Sequence, residues 1–99
     1  MKKVFGMIGL AKRANKILAG EKNCKEGIKC GKALLCILSE DAAKNTEKSI
    51  RNSCSFYDVP LVVFGTSEEL GFSVGNARNS VLAVTDENFC NAILNIINS

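Results

Sequence analysis

Four lysines carry most of the chemical reach of this 99-residue chain: Lys22, Lys25, Lys29 and Lys32. They recur at i, i+3, i+7 and i+10, and at roughly 100° per residue in a helix they fall on one arc. Four ammonium groups on one side make either a surface that grips a polyanion or an ordinary solvated lysine face. Cys24, Gly27, Ile28 and Gly31 gather on the opposite arc, an apolar back that can be buried. Residues 20–32 therefore read as an amphipathic helix opened by Gly20 and closed by Gly31. A helix entered through glycine presents free N–H groups at its first turn, and these attract phosphate. RNA is the polyanion to which this combination points.

Charge is distributed unevenly along the chain. Residues 1–32 hold nine Lys or Arg against Glu21 and Glu26, a balance of +7, whereas the remainder hold four against eight, a balance of −4. A one-sided positive field favours nucleic acid or an anionic surface and says nothing about fold.

Other chemistries lack their parts. The chain contains no histidine, so a nucleophile triad has no imidazole base. The acidic pairs Glu40-Asp41 and Glu68-Glu69 lie at expected helix starts, where they stabilise the dipole. No phosphate-binding Gly-x-x-x-x-Gly-Lys loop and no Gly-x-Gly-x-x-Gly turn occurs, and Gly71-Phe72-Ser73-Val74-Gly75 reads as a chance echo of the hydrolase elbow. Cys24, Cys30, Cys36, Cys54 and Cys90 form no Cys-x-x-Cys pair, so no metal site is expected and the thiols read as reduced, with Cys36 and Cys54 packing in the core. The expectation is a protein that is not an enzyme and uses no cofactor.

These residues must be positioned by a single domain spanning 1–99. With 46% apolar and 23% charged residues, the chain has a globular balance and enough length for one modest core. The apolar runs near 33–38 and 61–64 are far short of the roughly 20 residues a bilayer requires. Lys12 and Arg13 interrupt the apolar N-terminal stretch before a signal-peptide core forms, and the expected location is cytoplasmic.

In chain order, the spacing of Val4, Ile8 and Ala11 predicts a helix over 2–14, and residues 16–19 a short extended piece feeding the basic helix. The run 34–38 reads as a strand covered on both faces. Asp41 is expected to cap the next helix, whose buried side is Ala43, Ile50 and Cys54. Pro60 precedes a strand over 61–64. Thr66 and Glu69 have capping-box spacing for a short helix interrupted by Gly71 and Gly75, and residues 75–80 have loop chemistry. A last strand over 81–84 and a final helix capped by Asp86, with Phe89, Ile93 and Ile96 or Ile97 inward, complete an α/β layout with helices on both sides of a sheet. Phe5, Phe56, Tyr57, Phe64, Phe72 and Phe89 mostly read as core, so RNA recognition would rest on amides, lysines and loops and suit a folded RNA.

Taken together, the opening GLAKRANKILAGE, the LSEDAAKNTEKSI that follows the second strand, the VP before the third, the LG-x-x-x-G of the short helix and the closing VLAVTD resemble the kink-turn-binding ribosomal protein family, the "L-seven-Ae" group. The likeness covers nearly the whole chain and is greatest to the short bacterial, YlxQ-type branch. It implies a three-layer α-β-α sandwich with a mixed four-stranded sheet, and binding of structured RNA through the glycine-initiated turn, its helix and the loop before the last strand.

Gly20 and Gly31 match both glycines of the family pattern. Lys22 stands where Asn is expected, Asn23 where Glu, Glu26 where Lys and Cys30 where Arg, and Ser67 replaces a frequent lysine. The family's Asn and Glu read the sheared G·A pairs of a kink-turn. Arg78 and Val81 fit the basic and apolar positions that approach RNA in the second loop. The expected interface thus has Lys22, Lys25, Lys29 and Lys32 on phosphates, Gly20, Glu21 and Asn23 shaping the turn against bases, and Asn76 with Arg78 closing the second side. The expected partner is structured RNA, ribosomal RNA first, with ribosomal proteins as further partners and neither a membrane nor a small-molecule substrate. The rival expectation is a protein-interaction module that kept the fold and lost RNA.

Overall fold

The structure, a computed structural model, describes residues 2–99. Its elements alternate along the chain: α1 (Lys2–Arg13), β1 (Ile17–Ala19), α2 (Glu21–Lys29), β2 (Leu35–Leu38), α3 (Lys44–Tyr57), β3 (Leu61–Val63), α4 (Ser67–Ser73), β4 (Val81–Val84) and α5 (Glu87–Asn98). The strands form one mixed sheet in the order β1-β4-β2-β3. β4 runs antiparallel to both β1 and β2, and β2 runs parallel to β3.

The two central strands are buried at every position, which is why they are continuous apolar runs without polar alternation. Successive side chains point to opposite faces, so each strand serves two cores. Leu35, Ile37, Leu82 and Val84 pack with Val4 and Ile8 of α1, Leu70 of α4 and Ile93 of α5. Cys36, Leu38, Val81 and Ala83 pack on the other side with Cys24 and Ile28 of α2 and Ile50 and Cys54 of α3. The result is the expected α-β-α sandwich, with Cys36 and Cys54 acting as small hydrophobes.

Several local expectations are corrected. Asp41 does not cap α3, which begins at Lys44 after an N-cap Ala43 without any side-chain cap. Ala43 is exposed, because it precedes the first helical turn. α4 continues through Gly71, which is buried, and ends at Ser73. The capping box of Thr66 and Glu69 and the Asp86 cap of α5 form as expected. None of the helices among the described residues is long and apolar enough to cross a membrane.

Antiparallel pairing brings the end of β1 beside the start of β4, and likewise the end of β2. The Ser39 amide donates to the Ser80 carbonyl at 2.8 Å, and the Glu40 amide to the Gly65 carbonyl at 2.7 Å. One rim of the sheet therefore collects the start of α2 and the segments 39–43, 65–67 and 75–80.

Candidate nucleic-acid interface

At this rim Ala19 is paired with Leu82, and the next residue, Gly20, donates its amide to the Val81 carbonyl at 3.1 Å. Gly20 then turns the chain into α2 at φ 93°, a conformation that side chains rarely tolerate. Its carbonyl accepts the first helical bond from Cys24 at 3.0 Å. No side chain caps this terminus, and the amides of Glu21, Lys22 and Asn23 lack intrahelical partners by geometry. The Asn23 side chain donates back to the Ala19 carbonyl at 3.1 Å and so braces the turn.

Lys22, Lys25 and Lys29 are exposed along α2, while Cys24, Gly27 and Ile28 are buried beneath them. Leu18 fills the space that a side chain at 27 would need, so the helix lies close on β1. The two ion pairs among the described residues join Arg51 to Glu47 and Arg78 to Asp41, and neither takes an α2 lysine. Two expected members of the helical wheel fall outside it. α2 ends at Lys29 and Gly31 adopts φ 83°, so Gly31 is exposed. Lys32, also exposed, lies beyond the left-handed turn and off the shared arc, its amide donating to the Gly27 carbonyl at 2.9 Å.

The second side is built on α4. Asp41 accepts from the Ser67 amide at 2.8 Å and the Ser67 hydroxyl at 3.0 Å, and so satisfies the first turn of α4 rather than α3. These donors, the backbone amide foremost, hold its carboxyl below the usual carboxylate range. The Arg78 guanidinium donates to the same hydroxyl at 3.3 Å and lies 3.8 Å from the Asp41 carboxylate. It remains 65% exposed, so it is oriented without being covered. Asn76 is exposed, and its side-chain amide donates to Asn79 at 2.7 Å. The Asn79 amide in turn donates to the Ser67 carbonyl at 2.9 Å, pinning the loop to the helix. Val81 corrects the expectation of an apolar surface contact. Its side chain is 1% exposed, in the α2–α3 core, and only its carbonyl serves the rim.

Aromatic placement also differs from the sequence reading. Phe72, Phe56 and Tyr57 are 86%, 80% and 41% exposed. The signal for Phe72 was available: Leu70 and Val74 define the buried side of α4, and a residue two positions on from Leu70 points about 200° away. Phe72, Asn76 and Arg78 line a hollow of about 610 Å³ with Phe5, Glu68 and Glu69. Ser73 occupies the middle of the Gly-x-Ser-x-Gly pattern. It ends a helix, however, where its hydroxyl donates to the Glu69 carbonyl at 2.9 Å, and no imidazole is available to activate it. Among the described residues no cluster of His, Cys, Asp or Glu could hold a metal ion.

An α-β-α sandwich whose rim joins an uncapped basic helix to an arginine loop is the class of protein these features define. The chain belongs to the Ribosomal protein L7Ae/L30e/S12e/Gadd45 family, whose model matches residues 2–94. It is 37% identical over 93 residues to the RNA-binding protein YlxQ of Bacillus subtilis (strain 168), covering 94% of this chain and 93% of that one. Its identity to the RNA-binding protein YlxQ of Enterococcus faecium is 32%, over 88% of this chain and 84% of the relative. Among solved structures it resembles a protein of unknown function from Bacillus halodurans C, with a TM-score of 0.93, 32% identity and 98% coverage of both chains. A 15.5kD RNA binding protein of Giardia lamblia shares the fold, with a TM-score of 0.77, 20% identity and coverage of 95% and 81%.

Proposed function

We propose that this protein binds structured RNA, without catalysing a reaction on it, through the start of α2 and the loop before β4. The observation that carries the reading is the α2 ridge of exposed Lys22, Lys25 and Lys29, free of intramolecular ion pairs, rising from an uncapped helix start. Amides and ammonium groups converge there on one patch, which is what an RNA backbone requires. The Gly20–Val81 hydrogen bond ties the patch to the strand that Arg78 precedes. The names of the two YlxQ relatives and the family's ribosomal members support the same reading. Ribosomal RNA is the proposed target, in the cytoplasm, with ribosomal proteins as neighbours.

The substitutions at 22, 23, 26 and 30 favour a second reading, a protein-interaction module on the same fold. Filter binding to ribosomal RNA fragments separates the two. With three α2 lysines and Arg78 engaged, affinity should fall about 100-fold from about 50 to about 200 mM salt, on the basis of about −0.9 per phosphate. Lys25→Glu/Lys29→Glu should abolish binding without changing the melt. Undetectable or salt-independent binding overturns the RNA reading.

A further inference from the structure

We infer that the end of the α2–α3 face remote from Gly20 holds single-stranded RNA, its bases stacked on Phe56 and Tyr57 and its phosphates on Lys25 and Lys29. The inference rests on the RNA-binding reading above and extends it to an unpaired segment flanking the structured target. Phe56 and Tyr57 end α3 with their rings edge to face, centroids 4.8 Å apart at 75°. Ile50 and Cys54 fix the buried side of this helix, and Phe56 falls about 200° around it from Cys54. Its ring therefore contributes nothing to the core, and Tyr57 is only partly covered.

The surroundings indicate what covers them. Tyr57 lines a hollow of about 250 Å³ with Lys25, Glu26, Lys29 and Ser53. With Lys29 it also borders a second hollow, of about 300 Å³, walled by Leu34, Asp58 and Pro60. Lys29 and Tyr57 thus line both depressions. Every base has a π-face that such a ring can stack, and every nucleotide brings a phosphate for a neighbouring lysine. A duplex offers its base faces to neither, so the strand must be unpaired. An apolar protein partner would have to desolvate Lys25 and Lys29, which is costly without matching carboxylates. The lysines also make the patch continuous with the proposed interface. α2 is nine residues long, about 13 Å, so a strand leaving the RNA at Gly20 reaches the aromatic pair along the ridge.

The experiment compares one ribosomal RNA hairpin with the same hairpin carrying about eight unpaired nucleotides at either end, a length within the range of single-strand sites. An extension at one end should raise affinity about tenfold, the scale of one stacked base. Phe56→Ala and Phe56→Ala/Tyr57→Ala should remove that gain, leaving the melt and the affinity for the bare hairpin unchanged, and Phe56→Tyr should retain it. No gain in the unmodified protein, or a gain that survives both variants, overturns the inference. Altered sedimentation of the double variant with every RNA affinity unchanged makes the face a protein contact and also overturns it. If the bare hairpin does not bind but the isolated single strand binds in a Phe56-dependent manner, the structured-RNA reading falls and this one stands. If neither binds, both fall.

Discussion

A Cβ on Gly71 would lie 2.6 Å from the Arg78 Cα and 2.7 Å from the Arg78 amide nitrogen. α4 and the loop carrying Arg78 are therefore in backbone contact, and backbone atoms cannot swing aside as a side-chain tip can. The Asn76 amide, donating to the Gly71 carbonyl at 2.8 Å, secures the same contact.

Gly71→Ala should therefore push the loop off α4. Overpacking costs about 1–3 kcal/mol, offset by about 1 kcal/mol of better helix propensity, so a net loss centred on about 1 kcal/mol should lower the melting temperature by about 4–8 °C. RNA affinity should fall with it, as in Arg78→Ala, which removes an exposed group and should leave the melt nearly unchanged. Thermal melts and filter binding on both variants check this.

Asp41 links folding to pH. Its carboxyl is held below the ordinary value of 3.8, chiefly by the Ser67 amide, so its stabilising contribution is full above that value and is lost as pH falls through the lowered one. The melting temperature of Asp41→Asn should lie below that of the unmodified protein near pH 6, and the gap should narrow as pH falls below 3.8. Parallel curves across that range would contradict the assignment.

Thiol reactivity should separate one cysteine from four. Cys30 is exposed and the others are buried. Burial, aided by nearby Cys54, raises Cys24 to about 12. Burial, then Asp86 and Glu87, raises Cys90 to about 11. Cys36 and Cys54 are raised by burial as well. Iodoacetamide near pH 8, where these thiols stay protonated, should label Cys30 alone in the native protein, as mass spectrometry would read. Because the buried thiols are raised above their ordinary value of 9.0, stability present below pH 9 should be lost as pH climbs toward 11 to 12.

Lys22→Asn/Asn23→Glu restores the pattern that the family likeness associates with sheared G·A pairs. The paired substitution should increase discrimination between an RNA containing such pairs and one in which they are replaced by G·C. Loss of the lysine and gain of a carboxylate should also reduce the salt slope by about one phosphate contact. Competition binding at two salt concentrations measures both.

Periodicity and cap chemistry carried much of this in the sequence. The double-faced strands 35–38 and 81–84, the glycine-opened helix at 20 and the Thr66–Glu69 box were legible because they depend on residues within a turn or two of each other. Lys22, Lys25 and Lys29 were legible as a ridge for the same reason. Lys32 was not, because a single left-handed glycine breaks the helical phase. Tertiary structure alone decided that Asp41 serves α4 across a 26-residue separation, that Val81 gives the rim a carbonyl and the core its side chain, and that Phe56 and Phe72 stand outside. These outcomes depend on which strands become neighbours and which helix faces they cover. Pairing β4 between β1 and β2 makes rim companions of segments that local pattern leaves unrelated.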